Sequence, residues 1–552
     1  MLAKQFLKVE QLDSSQAYLD KAQRLQKNTP YQVADGHATQ AALYQRLGQL
    51  SLAKTALQNA LEATIEQTGK KGIAVAERWL ALGTYYQEQK QWSAAREALE
   101  AAFWALSWVP QQRTLPPSKS LYSKRLALVI GNAQGKTLLA LQEESKYAVS
   151  EEVLQQQLAY NLSLLEELQP QQPWDAALWK VAKEARLQSV EWQWRRFNQT
   201  ANPTLLVTAF TLAEANRQAV IRAEWQQHWK QNPMLGLVKL QQKLQQEQAK
   251  QQWFQTQIWK GYVQQDSSQL DWYRQQLAAN KANWTLTHQQ MEKQFKKQYE
   301  WCYQPNSIVL DSLQRRLQTG DALLQYLEAK TLVYQFIVTK DTLVLRRVVW
   351  DEYQPTVLKY RKHFTNPKMR QYLGSGSFQD FCRTGHSLYY RLVHHDLFKK
   401  VQRLIIIPDG LLEQLPFETL LTEIPLDSVH KADFSKLDYL LKNKRIHYHY
   451  SSQFWLQSWA LGVSVISNEL LAMGATYQDK TMLSRLASQQ QLRTQLNPQL
   501  YTEYLLDSLS ENYAGDFYNN RYSGEYYYKD DAANYGLLYL GFYGYNLSLI
   551  HI

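Results

Sequence analysis

Through the N-terminal half of the chain, apolar residues recur three and four positions apart, a spacing that gathers them on one face of an α-helix. Gln, Leu and Ala are abundant there and β-branched runs are scarce, which favours helix further. Helices are predicted to continue across 150–230, with PQQPWD and NQTANPT as turns. Leu237, Leu240 and Leu244 then follow helix spacing, and Leu270, Leu277, Trp284 and Met291 repeat every seven residues. Two such stretches around QQDSSQ predict a long antiparallel helical hairpin over 235–302, with the aromatic stripe as its seam. From Leu310 the period changes. LQRRLQTGDALLQYLEAKTLVYQFIVTKDTLVLRRVVW predicts a helix and three strands, with Gly320-Asp321 opening the first strand and Lys340-Asp341 turning between the others. Helices are predicted over 354–363 and 378–393. Residues 404–407 form a short, continuous, β-branched run that predicts a buried strand, and Pro408-Asp409-Gly410 a sharp turn at its C-terminal end. RIHYHYS, 445–451, predicts one more strand.

Within the helical half one passage repeats. In WLALGTYYQEQKQWSAAREALEAA, the residues Trp79, Leu82, Gly83, Tyr86, Ala95, Leu99 and Ala102 stand at a spacing that resembles the tetratricopeptide pattern. Gly83 and Ala95 would let two antiparallel helices approach closely, with Trp79, Leu82, Tyr86 and Leu99 filling the seam. A second copy lies upstream at Tyr44, Gly48, Ala53, Leu57 and Ala60, and a fragment precedes it at Ser15, Leu19 and Ala22. The steps of 38 and 42 residues exceed the usual ~34, so extended helices or turns are expected. The residues named are expected to be core. The resemblance implies a protein partner held on a concave surface made by other, polar residues.

Composition narrows the classes. Hydrophobic residues make up 45% and charged residues 20%, enough apolar material for real cores, so a wholly disordered chain is excluded. Lys+Arg less Asp+Glu is 61 − 50 = +11. The basic residues are scattered, with no arginine-rich run and no nucleic-acid motif, so nucleic acid is not an expected partner. Cys302 and Cys382 cannot build a disulfide framework or a four-thiolate zinc site. They fit a reducing compartment, and MLAKQFLKVEQLDSS lacks the apolar core of a signal peptide, so a cytoplasmic location is expected. No run of 18 strongly apolar residues occurs; the uncharged stretch 532–552 is interrupted by Asn534, Gly536, Gly541, Gly544 and Asn546. No membrane association is expected. GNAQGKT has three residues between Gly131 and Gly135, where a phosphate loop needs four; the flanking Leu, Ala and Gln content predicts two more solenoid helices over 125–143, and no cofactor is expected. His447 and His449 share one strand face with no third ligand nearby, so no metal is expected.

Strand, IPDG, four residues and LPFE, preceded by ALLQYLEAKTLVYQFIV and followed by RIHYHYS, resemble the CHAT domain, a caspase-like cysteine peptidase domain often fused to tetratricopeptide repeats. The motif residues are Pro408, Asp409, Gly410, Leu415, Pro416, Phe417 and Glu418. With the repeats in front, the resemblance covers most of the chain. It implies a His–Cys dyad at the C-terminal ends of adjacent parallel strands. The thiolate would attack a peptide carbonyl, the imidazole would move the protons, and the glycine after the histidine would help bind the oxyanion. The family's histidine segment resembles I-H-L-A-x-H-G, and its cysteine segment L-S-A-C. Here residues 534–544, NYGLLYLGFYG, align with the first, after the leader SGEYYYKDDAANYG. Tyr543 falls in the histidine slot, Tyr539 in the flanking slot, and Gly544 in that of the oxyanion glycine. A tyrosine, with a pKa of ~10, is a poor base at neutral pH. No cysteine follows; Cys382 lies upstream on a helix with His386, and Cys302 closes the hairpin. No catalytic residue is therefore assigned, and the chain is expected to lack peptidase activity.

The expected architecture is a tetratricopeptide-like α-helical solenoid followed by an α/β caspase-like domain that is incomplete at its C-terminus. The expected domains are repeats over 1–109, further helical repeats over 110–234, the hairpin over 235–302 and the N-terminal part of the CHAT-like domain over 306–546. Residues 547–552, LSLIHI, are what one frame of a widely used transposase-adapter sequence, CTGTCTCTTATACACATC, encodes, and are expected to be adapter-derived. The expected parent is a peptidase whose repeats recruit or sense a protein, with a possible protein substrate. The alternatives are a pseudo-protease scaffold and a repeat-mediated interaction protein with an unrelated α/β appendage.

Overall fold

A computed structural model describes residues 30–109, 115–144, 149–168, 176–231, 235–263, 268–295, 310–365, 375–424, 434–458, 468–474, 515–519 and 535–541, with a few isolated positions besides. It divides into two compact units, Met1–Leu456 and Gln457–Ile552. A helical region is followed by an α/β region.

The first unit opens on two helical hairpins, α1 (Pro30–Arg46) with α2 (Leu50–Thr68) and α3 (Ile73–Glu88) with α4 (Trp92–Ala105). Both turns close in the same way. Gln49 N–H donates to Tyr44 C=O and Gln91 N–H to Tyr86 C=O, each at 2.8 Å. This six-residue closure needs a left-handed residue, and Gly48 (φ +72°) and Lys90 (φ +55°) supply it. Gly83 meets Leu99 directly: a Cβ there would lie 2.8 Å from the leucine side chain. Ala53, Ala60, Ala95, Leu99 and Ala102 are fully buried, as the spacing requires. Ser15 lies in a short helical stretch, while Leu19 and Ala22 fall outside the described residues.

GNAQGKT lies inside one continuous helix, α5 (Lys124–Glu143), not in two helices as expected, because both glycines face packed neighbours and do not break it. Its glycines are approach points rather than a phosphate cradle. A Cβ on Gly131 would lie 2.1 Å from Asn161 Oδ1 of α6 (Glu151–Leu168), and one on Gly135 2.4 Å from Gln188 Oε1 of α7 (Ala176–Thr200). Buried amides fill these seams: Gln157 Nε2 donates to Asn161 Oδ1 at 2.9 Å, and Gln188 Nε2 to Asn132 C=O at 2.8 Å. Alanine at an open helical position gains about 1 kcal/mol over glycine. At Gly131 the overpacking term of about 1–3 kcal/mol wins, because Asn161 is fully buried and moving its Oδ1 would give up the bond from Gln157 Nε2. G131A is therefore expected to destabilise by about 1–2 kcal/mol in urea unfolding. A stabilised variant would exclude the close helix seam.

A break at Ala201 (φ +52°) leads from α7 into α8 (Pro203–Gln231). α9 (Leu235–Val263) and α10 (Leu270–Gln294) then pack as the predicted hairpin. Leu270 and Met291 are buried, and Leu277 and Trp284 half-buried. The seam is more polar than its apolar stripe indicates. Asn280 donates to the buried Glu247, and His288 sits 3.9 Å from Trp284, centroid to centroid. Burial draws the His288 pKa down to about 4.

Five strands follow: β1 (Asp321–Glu328), β2 (Leu332–Val338), β3 (Leu343–Val349), β4 (Arg403–Ile407) and β5 (Arg445–Tyr448). Their order is β3-β2-β1-β4-β5; β1–β3 form an antiparallel meander, while β4 is parallel to β1 and β5 parallel to β4. Helices cover both faces. Leu323, Leu327, Phe336, Ile405 and Ile407 pack on α7 and α8 through Val190, Phe210 and Ala213. Ala322, Leu324, Tyr326, Leu404 and Ile406 pack on α12 (Tyr353–Thr365) and α13 (Ser375–Leu392). Burial on both faces explains the apolar run Leu404–Ile407 of β4, and it leaves every residue of β1 buried, Gln325 included. A short helix, α11 (Leu310–Arg316), leads into β1, and α14 (Leu440–Asn443) precedes β5.

β5 ends at Tyr448, three residues short of the predicted strand. The chain turns into α15 (Ser452–Ser458), whose first N–H groups are captured from α8: Glu214 accepts from Ser452 N–H at 3.1 Å and Gln453 N–H at 3.0 Å. His449 therefore lies beyond the strand.

The second unit holds β6 (Asn468–Gly474), β7 (Gly515–Asn519) and β8 (Tyr535–Gly541), in the order β7-β6-β8 and all parallel. Among the described residues, no helix is long and apolar enough to cross a membrane.

Candidate functional site

The IPDG turn leaves the C-terminal end of β4, beside the C-terminal end of the parallel β1. Asp409 is buried, and its Oδ2 accepts the Glu328 backbone N–H at 2.7 Å. The same oxygen takes Lys183 Nζ from α7 at 2.8 Å. Arg217 of α8 stands 4.0 Å from Asp409 Oδ1, pairs with Glu413, and donates through Nε to Tyr450 C=O at 2.6 Å. Gly410 lets the backbone pass. Its φ is +62°, and a Cβ there would lie 1.4 Å from Glu328 Oε2. That oxygen instead accepts Leu411 N–H at 2.8 Å.

Three acids and two bases thus meet where the helical region joins the sheet. Burial, foremost, holds the Glu328 carboxyl above the usual glutamate range; nearby Asp409 adds to the rise, while Leu411 N–H and Lys183 oppose it. A second tie lies on the same sheet face, where Glu191 of α7 accepts from Tyr334 OH and pairs with Arg347 at 2.9 Å. These ions hold two layers together, and each is occupied by a protein partner.

The LPFE half is built into the core. Leu415 and Phe417 are buried, and Phe417 lies 5.6 Å from Tyr326, centroid to centroid. Pro408 is buried and Pro416 half-buried. Phe417 N–H donates to Tyr448 OH at 2.9 Å, and that hydroxyl donates to Glu418. The motif therefore fixes the end of β5 against the turn after β4. Burial and Glu418 raise the Tyr448 pKa, so its hydroxyl is a donor and not a base.

The thiol at hand is poorly placed for chemistry. Cys382 is buried in α13, and burial pushes its pKa up to about 11. His386 Nδ1 contacts Leu421 C=O at 3.1 Å. Burial, with His447 nearby, draws His449 down to about 4. Cys302 lies outside the described residues.

Tyr539 lies on β8, paired with Ala472 of β6. Tyr543 and Gly544 lie outside the described residues. The repeat residues do come together. Gly83, Ala95, Leu99 and Ala102 are buried with Leu82, but Trp79 and Tyr86 are only half-buried and border an open groove. Both rings pack against the same core from its edge, and α3 turns their open sides toward the space between α2 and α4. Lys183, Arg217, Glu214 and Glu328 were not legible in advance. They carry no motif, and Lys183 lies 226 residues from its partner.

No protein-family model matches the chain, and no curated protein matches it.

Proposed function

We propose that the chain is a repeat-scaffolded protein of the CHAT type. Its parent is a caspase-like cysteine peptidase, and its helical repeats bind a protein that regulates or targets it. The observation that carries this reading is the IPDG–LPFE block at the end of a buried parallel strand, downstream of two matching helical hairpins. The fully engaged Asp409 and the close approach at Gly410 give that block a structural reason to keep its residues. A second support is β8, a strand in a parallel sheet on the segment aligned with the family's histidine strand.

With a tyrosine in the family's histidine slot, a polypeptide of this sequence is expected to lack peptidase activity. The same tyrosines favour a second reading, a pseudo-protease scaffold, because both Tyr539 and Tyr543 replace the family's histidines.

Sequencing the native gene through and past codon 546 separates the two. Histidine at codon 543 and a downstream L-S-A-C-like segment are expected for the peptidase, followed by labelling of that cysteine with an electrophilic thiol probe. A verified tyrosine at 543 would remove catalysis and leave the scaffold.

A further inference from the structure

The first two helical hairpins leave a groove of about 370 Å³ between α2, α3 and α4. α3 packs on both neighbours, so its Trp79, Leu82 and Tyr86 form the floor. Glu62 of α2 borders one side, and Glu97 and Ala98 of α4 border the other. Leu82 and Ala98 are buried, while Trp79 and Tyr86 keep part of their ring surface open. Both glutamates are exposed. Arg96 is committed to Glu100 at 2.8 Å, while Lys54 already stands over the Tyr86 ring at 5.5 Å, which leaves Trp79 as the ring for a further cation.

Two carboxylates flanking electron-rich rings complement a cation with a flat, apolar face. A guanidinium stacks on an aromatic ring while its N–H fork reaches a carboxylate, and it sheds water more readily than an ammonium does. We infer that this groove binds an arginine side chain from an extended segment of a partner protein. The inference rests on the reading that the repeats take a protein partner, and it names where and by what chemistry.

The test is fluorescence anisotropy on the full chain, with a labelled alanine–glycine peptide carrying two arginines and a twin carrying citrulline in their place. The arginine peptide is expected to bind and the citrulline twin not to. E62Q/E97Q is expected to weaken binding about five- to tenfold without moving the melting temperature, since each exposed ionic contact is worth little alone. The charge-reversed E62K/E97K is expected to abolish it. Equal binding of the twin, equal affinity in both variants, or no binding by the wild-type chain would overturn the assignment. A partner protein whose binding survives E62K/E97K would overturn the groove while leaving the repeats as a docking element. The gene sequence past codon 546 answers the peptidase reading independently.

Discussion

Alanine at Asp409 is expected to lower the stability of the first unit by about 3 kcal/mol, the range for removing one partner from a buried ionic cluster. Two groups lose their acceptor at once, Lys183 Nζ and the Glu328 backbone N–H, and Arg217 loses an opposite charge 4.0 Å away. The Glu328 N–H is buried between strands and has no water to turn to. Lys183 keeps some solvent contact, which holds the loss below the upper end of the range. D409N keeps an acceptor for the Glu328 N–H but loses the charge, so it is expected to fall between wild type and alanine. Urea unfolding of the three proteins checks the order. D409A as stable as wild type would show that the cluster contributes nothing to the joint.

The same experiment has a pH signature. The folded-state pKa of Glu328 is raised, chiefly by burial and further by Asp409. Its contribution is therefore fully present below the unfolded value of about 4.3 and lost as pH rises through the folded value. D409A removes one of the raising charges. The fall in stability above about pH 4.3 is expected to shrink in that variant.

Gly410→Ala is expected to cost about 2–3 kcal/mol. Two effects add. A left-handed φ of +62° is unfavourable for any L-residue by about 1 kcal/mol or more. The new methyl also falls 1.4 Å from Glu328 Oε2, so the carboxylate must move and release Leu411 N–H. The residue-level check is amide hydrogen exchange at Leu411, which is expected to speed up in G410A. An unchanged rate with unchanged stability would mean that the turn does not need a glycine.

Much of the architecture was written in local pattern. The period of three and four marked the N-terminal half as helical, and the heptad of Leu270, Leu277, Trp284 and Met291 pointed to the α9–α10 hairpin. The short apolar runs and turn residues marked β1–β4 in their order, and 404–407 matched β4 to within one residue. These are properties of adjacent residues, because helix and strand periods and turn chemistry act over a few positions. The helical character around GNAQGKT was legible from its Leu, Ala and Gln content, but its continuity as one helix in place of two was not. Nor was it legible that its glycines meet Asn161 and Gln188, since the partners lie on other helices.

The candidate site divides along the same line. Asp409, Gly410, Phe417 and Glu418 stood out as a motif, but their roles did not. Only folding brings Lys183 and Arg217 against Asp409, ends β5 where Glu214 caps the next helix, and opens Trp79 and Tyr86 to a groove bordered by Glu62 and Glu97. The sequence by itself determined the helical half and the strand order through β4, while β6 and β7 carried no pattern that was read as strand. The tertiary structure decided which charges share a site, because an ion pair depends on distance in space and leaves no period in the chain.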